Sequence, residues 1–195
     1  MREAVVSRPL AFAARHARSQ AERAIKKDVV RALVELILNA DDSYRRLELA
    51  GRDVVGRIVI EIERHKNSPT ILSIQDWAEG MTPERLDEAV GTYGEDLAGG
   101  EVRGFFGHGL KDAMAGLGTG SVTSVHGGMV STSELTATTD GGVKYSRFRE
   151  EHTGERRGTA VSIQVDRDGV VVPFADSLRR ELSRYYSLRD LAFFL

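Results

Sequence analysis

Between residues 29 and 40 the chain reads VVRALVELILNA, apolar everywhere except at Arg31, Glu35 and Asn39. At the helical angle these three, together with Asp42, fall within an arc of about 80°. The pattern predicts a buried helix that carries one narrow polar stripe. Helix formers run without Pro or Gly over residues 10–50, with Gly51 as the stop and a break expected before Asp28. Taken alone, the stripe reads as the solvated face of an ordinary amphipathic helix.

Downstream the period changes. Residues 57–63 (RIVIEIE) alternate as a strand should, residues 71–74 give a second short strand, and 66–69 make the turn between them. Thr82-Pro83-Glu84 is a helix start, with Thr as cap and Pro in the first turn, and the helix runs to about Val90. A Gly-rich stretch over 91–109 has neither period and predicts a functional loop or lid, followed by a short helix over 109–115. Strands are expected over 121–125, 130–136, 143–149 and 159–165, punctuated by Gly127-Gly128, Asp140-Gly141-Gly142 and Arg157-Gly158. A last helix is read over 174–191. The predicted fold is α+β, a two-layer sandwich whose mixed, mostly antiparallel sheet carries helices on one face. Its expected division is an N-terminal arm or helix over 1–20, a core domain over 21–172 and a C-terminal helix over 173–195.

Composition narrows the function classes. The 195 residues suffice for one domain whose core needs no staple. Lys and Arg number 27 against 29 Asp and Glu, a balance that argues against a dedicated nucleic-acid domain. Arg179, Arg180, Arg184 and Arg189 accordingly read as a solvated helix face. Cysteine is absent, so thiolate metal sites and thiol catalysis are out, and the composition fits a reducing, cytoplasmic setting. The five histidines lack metal-ligand spacing, and no apolar run approaches a membrane span. Residues 1–20, rich in Arg and Ala, imitate a transit peptide but lead straight into the long helix, so an N-terminal arm or helix is the preferred reading.

Three further segments offer partners for the stripe. Asp76, at a strand end, is followed four residues later by Gly80. A carboxylate there can accept a hydrogen bond from an exocyclic amine, and a glycine lets a ligand approach the backbone. In RGFFGHGLKDA, Gly104, Gly107 and Gly109 keep a loop free of Cβ atoms so that successive N–H groups can face one anion. The loop feeds a helix N-terminus, and Lys111 in its first turn suits a phosphate better than it suits the helix dipole. The spacing is neither a Walker loop nor a dinucleotide fingerprint. Finally, Gly158-Thr159 opens a strand with a hydroxyl.

In chain order these pieces resemble the GHKL superfamily of Bergerat-fold ATPases. Its members include DNA gyrase B, the ninety-kilodalton heat-shock chaperone, mismatch-repair ATPases, sensor histidine kinases and microrchidia-type ATPases. Glu35-x3-Asn39-x2-Asp42 is similar to the family's N box, residues 76–80 to its G1 box, 104–109 to its G2 box at the lid hinge, and Gly158-Thr159 to its late strand. The GHGLK run is closest to chaperone-like and microrchidia-like members. The resemblance covers roughly residues 28–165.

It implies ATP and Mg²⁺ as ligands. Asp76 would bind the adenine amine with Thr159 nearby, while Gly80 and Met81 line the base. Asn39 would coordinate Mg²⁺, with Asp42 beside it in the N box. Gly104, Gly107, His108, Gly109, Leu110 and Lys111 would surround the phosphates, and Glu35 would orient and deprotonate the attacking water. Histidine kinases of the family generally lack that carboxylate, so Glu35 favours hydrolysis, with transfer to a partner protein as the alternative. His16 carries no mark of a phosphoacceptor, and a scaffold without activity fits poorly with Glu35, Asn39 and Asp76 all intact. The resemblance further implies an ATP-dependent homodimer to which residues 1–20 could cross. It also implies a catalytic Lys or Arg from a following domain. The chain stops at Leu195, before any such domain, which predicts slow turnover and a longer parent protein. One departure is Ala78, where the G1 box normally has Gly.

Overall fold

The computed structural model describes residues 6–9, 28–91, 109–137, 143–151, 157–166, 168–185 and 191–194; segments 6–9, 143–151 and 191–194 are described by backbone alone. Strand β1 (Val6–Pro9) precedes helix α1 (Val29–Leu49), strands β2 (Ile58–Glu63) and β3 (Thr70–Asp76), and helices α2 (Pro83–Gly91) and α3 (Gly109–Leu117). Strands β4 (Gly118–His126), β5 (Met129–Ala137), β6 (Val143–Glu151) and β7 (Gly158–Val165) follow, then α4 (Ala175–Leu182) and β8 (Leu191–Phe194).

Both ends of α1 are fixed by local chemistry. Asp28 is the N-cap, its Oδ1 accepting from Val30 N at 2.9 Å and Arg31 N at 3.2 Å. At the other end Gly51 takes φ +72°, so that Gly51 N donates to Glu48 O and Arg52 N to Leu47 O. That pair of bonds is the Schellman motif, which a Cβ-bearing residue enters only with strain. The stop at Gly51 is where the sequence puts it. Residues 10–27, including His16, lie outside the described residues.

The sheet has the order β1-β6-β5-β4-β7-β3-β2-β8, antiparallel throughout except for the parallel β2–β8 pair. Its central five strands set three rows of side chains toward the helices. One row is Ile62, Leu72, Ile163, Gly120 and Leu135; the next is Ile60, Ile74, Val161, Val122 and Ser133. Together with Leu33, Ile37, Leu86, Leu110 and Met114 from the helices, these rows make the core. The opposite face is polar. Glu61, Ser73, Ser162, Ser121 and Glu134 form one row there, with Ser73 Oγ donating to Ser162 Oγ at 3.1 Å. An apolar face under helices and a polar face away from them is the α+β layering that the alternation predicted.

The third inward row differs in kind. Ile58 pairs with Asp76, and Thr159 pairs with Ser124, which pairs with Ser131. At this end of the sheet the core turns polar, although Asp76, Thr159, Ser124 and Ser131 are all buried.

One expectation is corrected at the C-terminal end. Helix α4 stops at Leu182 rather than continuing to residue 191, because its apolar stripe of Ala175, Leu178 and Leu182 lapses at the exposed Tyr185. Leu191–Phe194 then adds to β2 as a strand, a role suited to aromatic side chains. Within residues 1–20, expected as an arm or helix, Val6–Pro9 is a strand on β6. Arg179, Arg180 and Arg184 are solvent-exposed, with Arg184 Nη1 2.6 Å from Glu181 Oε2, as expected of a solvated face. Among the described residues no helix is long and apolar enough to cross a membrane.

Candidate functional site

Asp76 closes β3 with its carboxylate buried. Oδ1 accepts from Ala78 N at 2.9 Å and from Thr159 N at 3.3 Å. Burial pushes the carboxyl up from 3.8 to about 6, against the pull of those two N–H groups and of the Arg46 guanidinium; the Glu79 carboxylate adds to the rise. A buried, largely ionised acceptor at neutral pH is costly, and it is the kind of group that recognises a donor.

Around it the main chain is held tightly. Ser124 Oγ accepts from Met81 N at 2.7 Å, and its proton goes to Gly158 O at 3.3 Å or to Thr159 Oγ1 at 3.0 Å. Gly80 has φ +68°, and a Cβ there would stand 2.0 Å from Val125 O. Close packing on β4 thus explains this glycine as well as any approach of a ligand does. Ala78 needs no such freedom: its N–H is spent on Asp76, and its methyl is fully buried in the core. Gly80→Ala should therefore cost about 3 kcal/mol of stability or more, since a backbone oxygen must move and the φ is strained. Urea denaturation measures this, and a loss below about 1 kcal/mol would contradict the packing argument.

The polar stripe of α1 runs past this turn. Arg46, on the same arc as Glu35, Asn39 and Asp42 by the angular rule, forms an ion pair with Glu79 and lies close enough to Asp76 to favour its charge. Tyr44, two residues before Arg46 and on the opposite side of the helix from the stripe by the same rule, is buried with its hydroxyl on Arg57 O and Trp77 N. At the other end of the stripe, Gly109 opens α3 directly against Glu35. A Cβ on Gly109 would lie 3.1 Å from both Glu35 Cβ and Glu35 Oε2. The structure therefore brings Asp76 to one end of the stripe and the N-terminus of α3 to the other. Eleven residues of helix separate Glu35 from Arg46, about 16 Å. Between them Asn39 and Asp42 are buried, whereas Glu35 is exposed.

The first turn of α3 supplies the remaining described candidates. Leu110 has its side chain in the core, so only its main chain is available to a ligand. Lys111 is fully buried, which lowers its pKa from 10.5 to about 8 although Asp112 beside it works the other way. At neutral pH it still carries charge, beside a helix N-terminus that itself favours anions. Gly104, Gly107 and His108 lie outside the described residues. Among the described residues no three His, Asp or Glu side chains cluster as a metal cage. A Mg²⁺ held by one amide and by phosphate oxygens requires no such cage, so Asn39 fits that style of binding.

Sequence reasoning missed Ser124, Tyr44 and the Arg46–Glu79 pair. Arg46 was reachable by extending the angular rule one further turn. Ser124 was not, because GTGSVTSVH has small polar residues on both faces and the alternation does not say which face is inward. No protein-family model and no curated protein sequence matches the chain.

Proposed function

We propose that this chain is a Bergerat-type ATP-binding domain that hydrolyses ATP with Mg²⁺ and switches conformation with the nucleotide, pairing with a second copy when ATP is bound. The observation that carries the reading is the arrangement along α1, with a buried carboxylate at Asp76 beside one end of the polar stripe and Glu35 at the other against the opening turn of α3. Asp76, Thr159 and Ser124 supply acceptors and hydroxyls suited to a purine amine. The α3 N-terminus, Lys111 and Gly109 supply positive potential suited to phosphates.

Mg²⁺, held through Asn39, would neutralise charge on the phosphate oxygens. Glu35 is exposed and uncommitted to the core, as a base that must reach a water needs to be. Its presence favours water over a protein side chain as the phosphate acceptor, and Asp42, in the same stripe, is a further nucleotide-binding residue of this reading.

Isothermal titration of the chain with ATP and Mg²⁺ should give saturable binding that GTP does not reproduce. Absence of any heat with ATP would overturn the reading. Transfer of label from γ-phosphate to protein, with no free phosphate, would replace hydrolysis by kinase chemistry.

A further inference from the structure

The base-recognition turn is not self-supporting. Oδ1 of Asp76 is consumed by Ala78 N and Thr159 N, and the direction left to the carboxylate depends on how the peptide between Asp76 and Trp77 is held. Two side chains hold it: the Gln75 amide nitrogen donates to Asp76 O, and Tyr44 takes the Trp77 N–H from α1. Tyr44 Oη accepts from Trp77 N at 2.9 Å and donates to Arg57 O at 2.6 Å, with the ring almost completely buried. It thus ties α1 to the first residue after Asp76 and, through Arg57, to the mouth of β2. On the other side, the Gly158 backbone is so near Asp76 O that a Cβ there would stand 2.2 Å from it. The Asp76–Trp77 peptide is held at its carbonyl by the Gln75 amide and the close approach of Gly158 on β7, and at its N–H by the phenol on α1.

Building on the reading of this site as an adenine site, we infer that Tyr44 is a positioning residue for base discrimination: its hydroxyl, carried by α1 and bonded to the main chain directly after Asp76, aims Asp76 at the exocyclic amine. A phenol suits the task because one oxygen both donates and accepts, and a rigid ring fixes where it does so. Tyr44 is two residues beyond Asp42 and five beyond Asn39, so a shift of α1 moves the aspartate's support and the phosphate end of the stripe together. Recognition of the base is thereby linked to the helix that carries Glu35.

The test compares ATP with purine riboside triphosphate, which lacks only the exocyclic amine. In the wild-type chain ATP should bind at least about tenfold more tightly, the value of a hydrogen bond to a charged acceptor. Tyr44→Phe keeps the ring and removes the hydroxyl. It should weaken ATP by about tenfold while changing purine riboside triphosphate less than about twofold, so the discrimination collapses. A variant that loses both ligands equally would make Tyr44 merely structural and overturn the inference, as would unchanged discrimination. Arg57→Ala removes the guanidinium lying 5.6 Å from the Trp77 ring but keeps both main-chain partners of Tyr44, and discrimination should persist. An independent readout in the wild-type chain is hydrogen exchange at Trp77 N–H, which ATP should slow more than the analogue does. Equal protection by the two ligands contradicts the assignment. If wild-type chain binds neither nucleotide, the adenine reading itself fails, a result distinct from any of these.

Discussion

Glu35→Gln is expected to bind ATP and Mg²⁺ within about twofold of the unaltered chain while releasing phosphate about 10²-fold more slowly, the range for loss of a general base. Glutamine is the right substitution because Gly109 packs on the Glu35 side chain, with Cβ, Cγ and Oε2 all within reach of its missing methyl. An isosteric amide keeps that contact and removes only the basic oxygen. The side chain is exposed, so stability should change by less than about 0.5 kcal/mol. Phosphate release under saturating ATP measures the effect. Hydrolysis at the original rate, or loss of binding together with hydrolysis, would remove Glu35 from the chemistry.

Asp76→Asn should do the reverse in two respects: ATP binding falls by about 10²-fold, while the fold becomes more stable. The amide presents a donor where the nucleotide amine needs an acceptor, yet its oxygen can still receive Ala78 N and Thr159 N. The stability gain follows from proton linkage. The folded chain holds the Asp76 proton up to about pH 6, whereas the unfolded chain releases it near 3.8. Between those values the folded state binds more protons, so stability falls as pH rises, and by pH 7 the full penalty is in force. The gap corresponds to roughly 3 kcal/mol as an upper bound, and asparagine removes it. A gain of about 2 kcal/mol would raise the melting temperature by about 5 °C in a chain of this length. Melting curves of the two proteins should therefore converge near pH 4 and separate toward pH 7. A variant that is less stable at pH 7 would show that the carboxylate is supported rather than strained. The same titration predicts that ATP affinity declines as pH drops through about 6, since a protonated carboxyl is the poorer acceptor.

Much of this was readable in the residues because polar side chains stand out in apolar surroundings. Glu35, Asn39 and Asp42 interrupt a helix that is otherwise all core, and the angular rule alone puts them on one stripe. Strand β2 announces itself by alternation, β4, β5 and β7 by the glycine turns that punctuate them, and Asp28 and Gly51 bound α1 through chemistry that acts over a few residues. What escaped were interactions whose partners are far apart in the chain. Tyr44 reads as one more large residue on a core helix until Trp77 N, 33 positions later, is seen against its oxygen. Glu79 reads as a turn residue until Arg46 meets it. The end of α4 was misjudged because helical propensity continues past Leu182 while the buried stripe does not, and burial decides.

The turn Gly127-Gly128 has both φ values positive, +57° and +79°, as the two-residue hairpin between His126 and Met129 demands. Because neighbouring strand residues face opposite ways, adding or deleting one residue between this turn and Ser124 would send the serine hydroxyl to the solvent face. Met81 N and Thr159 would lose their shared partner without a single substitution at the site. Length variation here is therefore tolerable only in the turn itself or in whole pairs, and the bonds that Ser124 makes to Met81 and Thr159 rest on counting in a surface hairpin.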